Sequence, residues 1–188
     1  KNEISMNVNK FNSKGTVYSK ARPCYPDTLY SYLLAKRIID KNTVAADVGS
    51  GTGIFTIELS KLTNSVFAVE PNNDMRVKAE EKYKTIANIT SVNATAENTS
   101  LPDYSVDLIT VAQAFHWFDR ELFRNECKRI LKPNGKVVLV WNDRDTNSEI
   151  IQDNFAVNKK FCKDFKGSSN GMDFSKDAFS DFFYGKFE

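Results

Sequence analysis

The sequence predicts an α/β fold, a doubly wound parallel sheet with helices on both faces, and three observations carry that expectation. Short apolar runs of strand length alternate with helix-period segments from about residue 27 to residue 141, as repeated crossover units require. The stretch Val44 to Gly53, VAADVGSGTG, reads as a strand, a tight turn and a helix start, with glycines at 49, 51 and 53. An acid, Glu70, closes the next apolar run, and sheets of this kind gather their ligand-binding groups at the carboxyl ends of strands.

Taken in order, residues 1–25 read as an arm on a single domain spanning 1–188. Lys1 to Lys20 is polar with scattered Ile4, Met6, Val8, Phe11, Val17 and Tyr18 and no sustained period. Arg22-Pro23-Cys24-Tyr25-Pro26-Asp27 is turn chemistry, and Leu29, Leu33, Leu34 and Ile38 predict a helix from Asp27 to Asp40. After the glycine turn, Ile54, Ile57, Leu59 and Leu62 predict a helix that Asn64-Ser65 ends, followed by a strand over Val66 to Val69. Asn73 to Tyr83 has the pattern of an exposed helix, and Ile89 to Asn93 that of a short strand. Val106 to Ala112 is a strong strand, and Glu121 to Leu131 a helix stopped by Lys132-Pro133-Asn134-Gly135, after which a fifth strand runs from Lys136 to Trp141. Beyond it, Ile150 to Phe161 has helical character, Gly167 to Gly171 reads as a loop, and Phe174 to Phe187 is aromatic-rich without a clear period.

Composition narrows the function. A chain of 188 residues is long enough for one full core, and a net charge of +2 with interleaved lysines and acids gives no basic stripe for nucleic acid. Apolar runs fall far short of the ~20 residues of a membrane span, which predicts a soluble, cytoplasmic protein without a membrane partner. Cys24, Cys127 and Cys162 form no CxxC pair and His116 is the one histidine, so neither a metal site nor a disulfide framework is expected.

The glycine turn removes side chains from one side of the loop, so that a ligand can approach the backbone and the first N–H groups of the next helix. Its spacing argues against two common ligands. A dinucleotide fingerprint would place its third glycine where Ile54 stands, and a phosphate loop would need Lys and Ser/Thr where Ile54 and Phe55 stand. The string Asp47-Val48-Gly49-Ser50-Gly51-Thr52-Gly53 instead resembles the first motif of the class I S-adenosylmethionine-dependent methyltransferases. In that setting Glu70, at an exposed strand end, would accept from both ribose hydroxyls of an adenosine, with Pro71 stiffening the turn. Met75 would lie against a purine or in the core, and Ala96-Glu97 would sit beside the adenine. Gln113-Ala114-Phe115-His116-Trp117-Phe118-Asp119 carries more aromatic surface than a connection needs and predicts a pocket wall, with Asp119 as helix N-cap.

Together with Tyr18, Arg22-Pro23, Tyr25-Pro26, VEPN, ATAENTSLP, LKPNGKVV and WNDRD, these pieces resemble the type 11 group of class I methyltransferases, near the trans-aconitate methyltransferase-like branch, from about Phe11 to Asp145. The resemblance implies a Rossmann-like doubly wound sheet of seven strands, the last reversed, S-adenosylmethionine as methyl donor and an N-terminal lid. The sequence stops at Phe187-Glu188, about where the sixth strand would begin, so the C-terminal strands are expected to be missing or truncated. Carried over residue by residue, it implies that Asp47, Gly49, Ser50, Gly51 and Gly53 lie along the donor and that Glu70, Pro71 and Met75 serve its adenosine with Ala96 and Glu97. Gln113 contacts the methionine portion, while Tyr18 and Arg22 belong to the lid, Arg22 either meeting the donor's carboxylate or forming a surface ion pair. Trp117 and Tyr18 are candidates to face the sulfonium, and His116 is open to three roles: base, acceptor binding or wall.

No Asn/Asp-Pro-Pro-Tyr string follows the fourth strand, so the implied acceptor is an oxygen, carboxylate, thiol or carbon of a small molecule. A non-catalytic donor-binding protein and, against Ile54, an NAD-linked oxidoreductase remain as alternatives.

Overall fold

The computed structural model describes residues 24–142, 144–167 and 177–183. They divide into two compact units, Lys1–Val140 and Trp141–Glu188, taken separately below. The predicted arm, with Tyr18 and Arg22, lies outside the described residues apart from Cys24 and Tyr25.

The first unit is built on a five-stranded, wholly parallel sheet in the order β3-β2-β1-β4-β5. Its elements are α1 (Asp27–Ala35), β1 (Val44–Val48), α2 (Ile54–Ser60), β2 (Ser65–Val69), α3 (Asn73–Tyr83), β3 (Ile89–Val92), β4 (Val106–Ala112), α4 (Arg120–Ile130) and β5 (Leu131–Val140). The order reverses between β1 and β4. Right-handed crossovers therefore set α2 and α3 on one face and α4 on the other, and the crevice opens at the carboxyl ends of β1 and β4. The central strands are buried on both faces, as the consecutive fully buried residues Leu108, Ile109, Thr110 and Val111 show. Tyr30, Leu33 and Ile39 pack with Phe55, Leu59, Val66 and Leu108, and Tyr25 and Tyr30 meet the Phe55 ring at 5.1 and 5.6 Å.

Strands β1 and β4 and helix α3 fall where apolar periodicity puts them, and other boundaries move. Helix α1 ends at Ala35, not Asp40, because Arg37 turns left-handed (φ 51°) and the Ile38 and Ile39 N–H groups return to the Leu33 carbonyl, which carries Ile39 into the core. Helix α2 ends at Ser60, and Ser65 is the first residue of β2, paired with Val44. Helix α4 is one residue earlier than predicted at each end, since Asp119 caps it through the Glu121 and Leu122 N–H groups. The largest change is β5, which starts at Leu131 rather than Lys136: Leu131 pairs with Val106 and Lys136 with Leu108, so Lys132-Pro133-Asn134-Gly135 is a bulge in the strand and not a helix stop before it. A Cβ on Gly135 would stand 2.7 Å from Leu131 Cδ2 and 2.9 Å from the Lys132 carbonyl oxygen, so the bulge needs glycine there.

The second unit has α5 (Glu149–Phe161), matching the helical character of Ile150 to Phe161, and α6 (Asp177–Phe183) within the stretch that has no clear sequence period. Ring contacts join Trp141 to Phe179 and Phe155 to Phe165, at 5.6 and 5.7 Å.

Candidate functional site

The site is built around the chain that leaves β1. Gly49, Gly51 and Gly53 all have positive φ, at 72°, 57° and 79°, in the region where a side chain is strained. Their surroundings divide the three into two kinds. A Cβ on Gly49 would stand 2.6 Å from Ala114 Cβ and 3.1 Å from Phe118 Cζ, and one on Gly53 would overlap the Tyr83 ring. Those glycines make room for the protein itself, which corrects the expectation that all three clear a path for ligand. A Cβ on Gly51 would meet nothing within 4 Å among the described residues, so this glycine borders open space.

Glu70 is tied directly to that loop. One carboxylate oxygen accepts from the Gly51 N–H at 2.9 Å and the other from the Asn72 N–H at 2.8 Å, while the Gly49 and Ser50 N–H groups donate to the Val69 carbonyl at 2.9 and 3.1 Å. Each carboxylate oxygen keeps a further lone pair for a ligand hydroxyl. The strand end is not exposed as expected: Glu70 is 8% exposed, because α3 begins three residues on and Arg76 folds back to donate to the Glu70 and Pro71 carbonyls and to Asn93 Oδ1. Burial pushes the Glu70 carboxyl up, against the opposing pull of the Asn72 and Gly51 N–H groups.

Asp47 lies at the end of β1 with its two oxygens turned to Thr56 Oγ1, at 2.6 Å, and Thr110 Oγ1, at 3.0 Å. It is 1% exposed, and burial pushes its carboxyl up to about 6 while the two hydroxyls pull it down. A folded-state value above the ordinary 3.8 means that folding takes up a proton between about pH 4 and pH 6, and the stability held by the protonated form is lost as pH rises through that window. Asp47→Asn keeps an acceptor without the charge. It is expected to remove from the denaturation profile a decline on the order of 3 kcal/mol between about pH 4 and pH 7. Urea melts across that range check this, and parallel wild-type and variant profiles would show that Asp47 does not titrate there.

At the mouth of β4, Gln113 is left-handed (φ 61°) and its N–H donates to the Val140 carbonyl at 2.8 Å. A non-glycine residue held in that region at a strand end marks a turn fixed by its surroundings. The turn brings Ala114 and Phe118 against Gly49 and leads into a single 3₁₀ turn, Phe115–Trp117. Phe115 is fully buried against Phe118 and Phe123, whereas His116 and Trp117 are half-buried with ring centroids 4.6 Å apart. Ala96 is buried beneath the loop after β3, and the Glu97 carboxylate accepts from the Asp119 N–H at 3.0 Å.

Hydrogen bonds and close packing thus bring together the glycine loop, Glu70, Pro71, Gln113 and the His116–Trp117 turn. Met75 is 3% exposed, with its N–H capped by Asn72 Oδ1, so it is part of the core beneath this region. Sequence reasoning put Ala114 and Phe118 in a pocket wall and did not foresee that they, with Tyr83, fill the space two glycines vacate; it passed over Thr56 and Thr110, which hold the Asp47 carboxylate, and Arg76, which holds the Glu70 main chain. Arg76 alone left a signal, a basic residue six positions after an acid at a helix start. Among the described residues there is no group of three His, Cys, Asp or Glu side chains that could hold a metal ion, and no helix is long and apolar enough to cross a membrane.

Comparison with known proteins agrees with this architecture. The chain is 38% identical over 133 residues to a protein named as a methyltransferase in Dictyostelium discoideum, covering 71% of this chain and 48% of that one. It is 34% identical over 148 residues to a methyltransferase-like protein of Schizosaccharomyces pombe, covering 78% and 57%. The chain thus spans about half the length of the curated relatives it matches. The crystal structure of a SAM-dependent methyltransferase from Aquifex aeolicus superposes with a TM-score of 0.62 at 21% identity over 81% of this chain and 76% of that one, a likeness of fold. A family model described as a methyltransferase domain matches residues 46–139, half of the chain, from β1 to the penultimate residue of β5. The chain therefore belongs to the methyltransferase domain family.

Proposed function

We propose that this chain binds S-adenosylmethionine along the loop from Gly49 to Gly53 and serves the transfer of its methyl group to a small-molecule acceptor. The observation that carries the reading is the pairing of open space at left-handed Gly51 with the Glu70 carboxylate anchored to that residue's own N–H. Such a cradle fits a nucleoside whose ribose hydroxyls reach a fixed acid, and it has no lysine or hydroxyl of the kind a triphosphate needs at Ile54 and Phe55.

When bound, the donor supplies a methyl group on a positively charged sulfur. What the protein contributes is alignment: Gly51 admits the donor, Glu70 fixes the ribose, and Gln113 orients the methionine end with its strained backbone. Trp117 offers a π face worth roughly 0.5–2 kcal/mol to a nearby cation. His116 beside it either takes a proton from an acceptor hydroxyl or holds an acceptor carboxylate, and only the first gives a base dependence. Asp47 ties β1 to α2 through Thr56 and to β4 through Thr110, on either side of that loop.

Calorimetric titration with S-adenosylmethionine, S-adenosylhomocysteine and NAD, followed by an acceptor screen for methyl incorporation, tests the reading. Binding of the first two without NAD, and turnover of a small acid or hydroxyl compound, is the expected result. Binding without turnover of any acceptor would favour a non-catalytic role, and NAD binding alone would overturn the donor assignment.

A further inference from the structure

The turn that carries Gly51 is held from two directions. It is closed on itself by the Gly53 N–H, which donates to the Ser50 carbonyl at 3.0 Å. On the entry side the end of β2 holds it, through the Ser50 N–H on the Val69 carbonyl and the Gly51 N–H on the Glu70 carboxylate. On the exit side the last turn of α3 holds it. Lys82 Nζ donates to the Thr52 carbonyl at 2.8 Å, and the ring of the next residue, Tyr83, fills the volume that a Cβ on Gly53 would take. Thr52 is buried and precedes Gly53, the N-cap of α2, whose carbonyl is the first acceptor of the helix, from the Ile57 N–H at 3.1 Å. The Thr52 carbonyl therefore lies ahead of the helical ladder and takes its hydrogen bond from a side chain instead. Lys61, Lys78 and Lys132 pair with the carboxylates of Glu58, Glu81 and Asp107, whereas Lys82 reaches main chain thirty residues back. Burial lowers the pKa of its ammonium group, as a head drawn off the surface requires.

We propose that Lys82 is a positioning residue for the donor: its ammonium group fixes the Thr52–Gly53 peptide and so keeps the turn at Gly51 in the shape that admits the ligand. The proposal rests on the donor-binding reading above. In a trans peptide unit the carbonyl and the N–H point in opposite directions, so one hydrogen bond at each end fixes the plane. Here Lys82 holds the oxygen and the Ser50 carbonyl holds the N–H. Rotation of that plane would open the turn over residues 50–53, within which Gly51 keeps its left-handed φ of 57° beside open space. Loss of the lysine leaves a carbonyl of a buried residue without its charged donor and the peptide held from one side. Methionine in this place keeps an unbranched stem without the ammonium group, whereas arginine keeps a charged donor.

Hydrogen exchange of the ligand-free protein and titration with S-adenosylhomocysteine, in the wild type, Lys82→Met and Lys82→Arg, test the role together. In Lys82→Met, exchange over residues 50–54 is expected to quicken while the strands keep wild-type rates, and the dissociation constant should rise at least about threefold. The melting temperature should fall by less than about 3 °C, because the side chain lies at the surface and its loss leaves the core intact. Lys82→Arg should restore both the exchange rates and the affinity, which a residue needed only for packing of its stem would not require. Wild-type exchange over 50–54 in Lys82→Met, or an affinity loss below about threefold, would overturn the proposal. So would a loss in Lys82→Arg as large as in Lys82→Met, or exchange that quickens throughout the sheet, which would mark a role in overall stability. Failure of the wild type to bind S-adenosylhomocysteine would instead overturn the donor-binding reading, with the exchange rates of the free protein still reporting whether Lys82 holds the turn.

Discussion

Gly51→Val is expected to abolish binding of S-adenosylhomocysteine, by about a hundredfold or more, while the protein still folds. The two parts of that outcome have separate causes. A Cβ at position 51 meets no described protein atom within 4 Å, so the native packing does not oppose the substitution. The backbone does, since φ is 57°, at a cost of roughly 1–2 kcal/mol for an ordinary side chain and more for a branched one. The isopropyl group would then occupy the open space beside the loop that a ligand backbone needs. Gly51→Ala should show a smaller loss of affinity in the same titration. Gly53→Ala provides the contrast, because its methyl group would overlap the buried Tyr83 ring and its main effect should be a lowered melting temperature. A Gly51→Val protein that binds at wild-type affinity would remove the glycine loop from the site.

Glu70→Ala is expected to weaken S-adenosylhomocysteine at least about tenfold and also to lower stability. Two hydrogen bonds from ribose hydroxyls to a charged acceptor contribute roughly 1.5–3 kcal/mol each, and both would be lost. The same substitution leaves the Gly51 and Asn72 N–H groups without their acceptor, so the loop that carries the ligand loosens as well. Glu70→Gln is no neutral control: whichever way the amide is turned, its NH₂ faces one of those two N–H donors. Because burial raises the Glu70 carboxyl, wild-type affinity should fall as pH drops and the acceptor is protonated, and Glu70→Ala should lose that dependence. Titration at neutral and mildly acidic pH, paired with thermal melts, separates the two effects. Unchanged affinity would sink the ribose assignment.

Both predictions depend on features of different legibility. The glycines and the strand-end acid were visible in the sequence because each lies within, or immediately beside, an element whose own period identifies it. A helix or strand declares its buried face every three to four or every two residues, which is why α3 and β4 are found at their expected bounds. The order of alternating elements also determined the parallel sheet, since only crossovers join parallel neighbours.

What only the tertiary structure decided is who stands opposite whom. Gly49, Gly51 and Gly53 are equivalent in the sequence, yet Ala114 and Phe118 from beyond β4 and Tyr83 from the end of α3 fill two of the three vacated volumes, and the third stays open among the described residues. Asp47 is held by Thr56 and Thr110, nine and sixty-three residues away. Glu97, a loop acid in the sequence, reaches Asp119 across twenty-two residues. The start of β5 was hidden for the same reason: Pro133, Asn134 and Gly135 are turn formers in local chemistry, and only the pairing of Leu131 with Val106 and Lys136 with Leu108 makes them a bulge within one strand. Local periodicity reports which face a residue presents. Partners across a sheet are set by register and crossover, and those arise from the packing of the whole domain, where no short stretch of sequence records them.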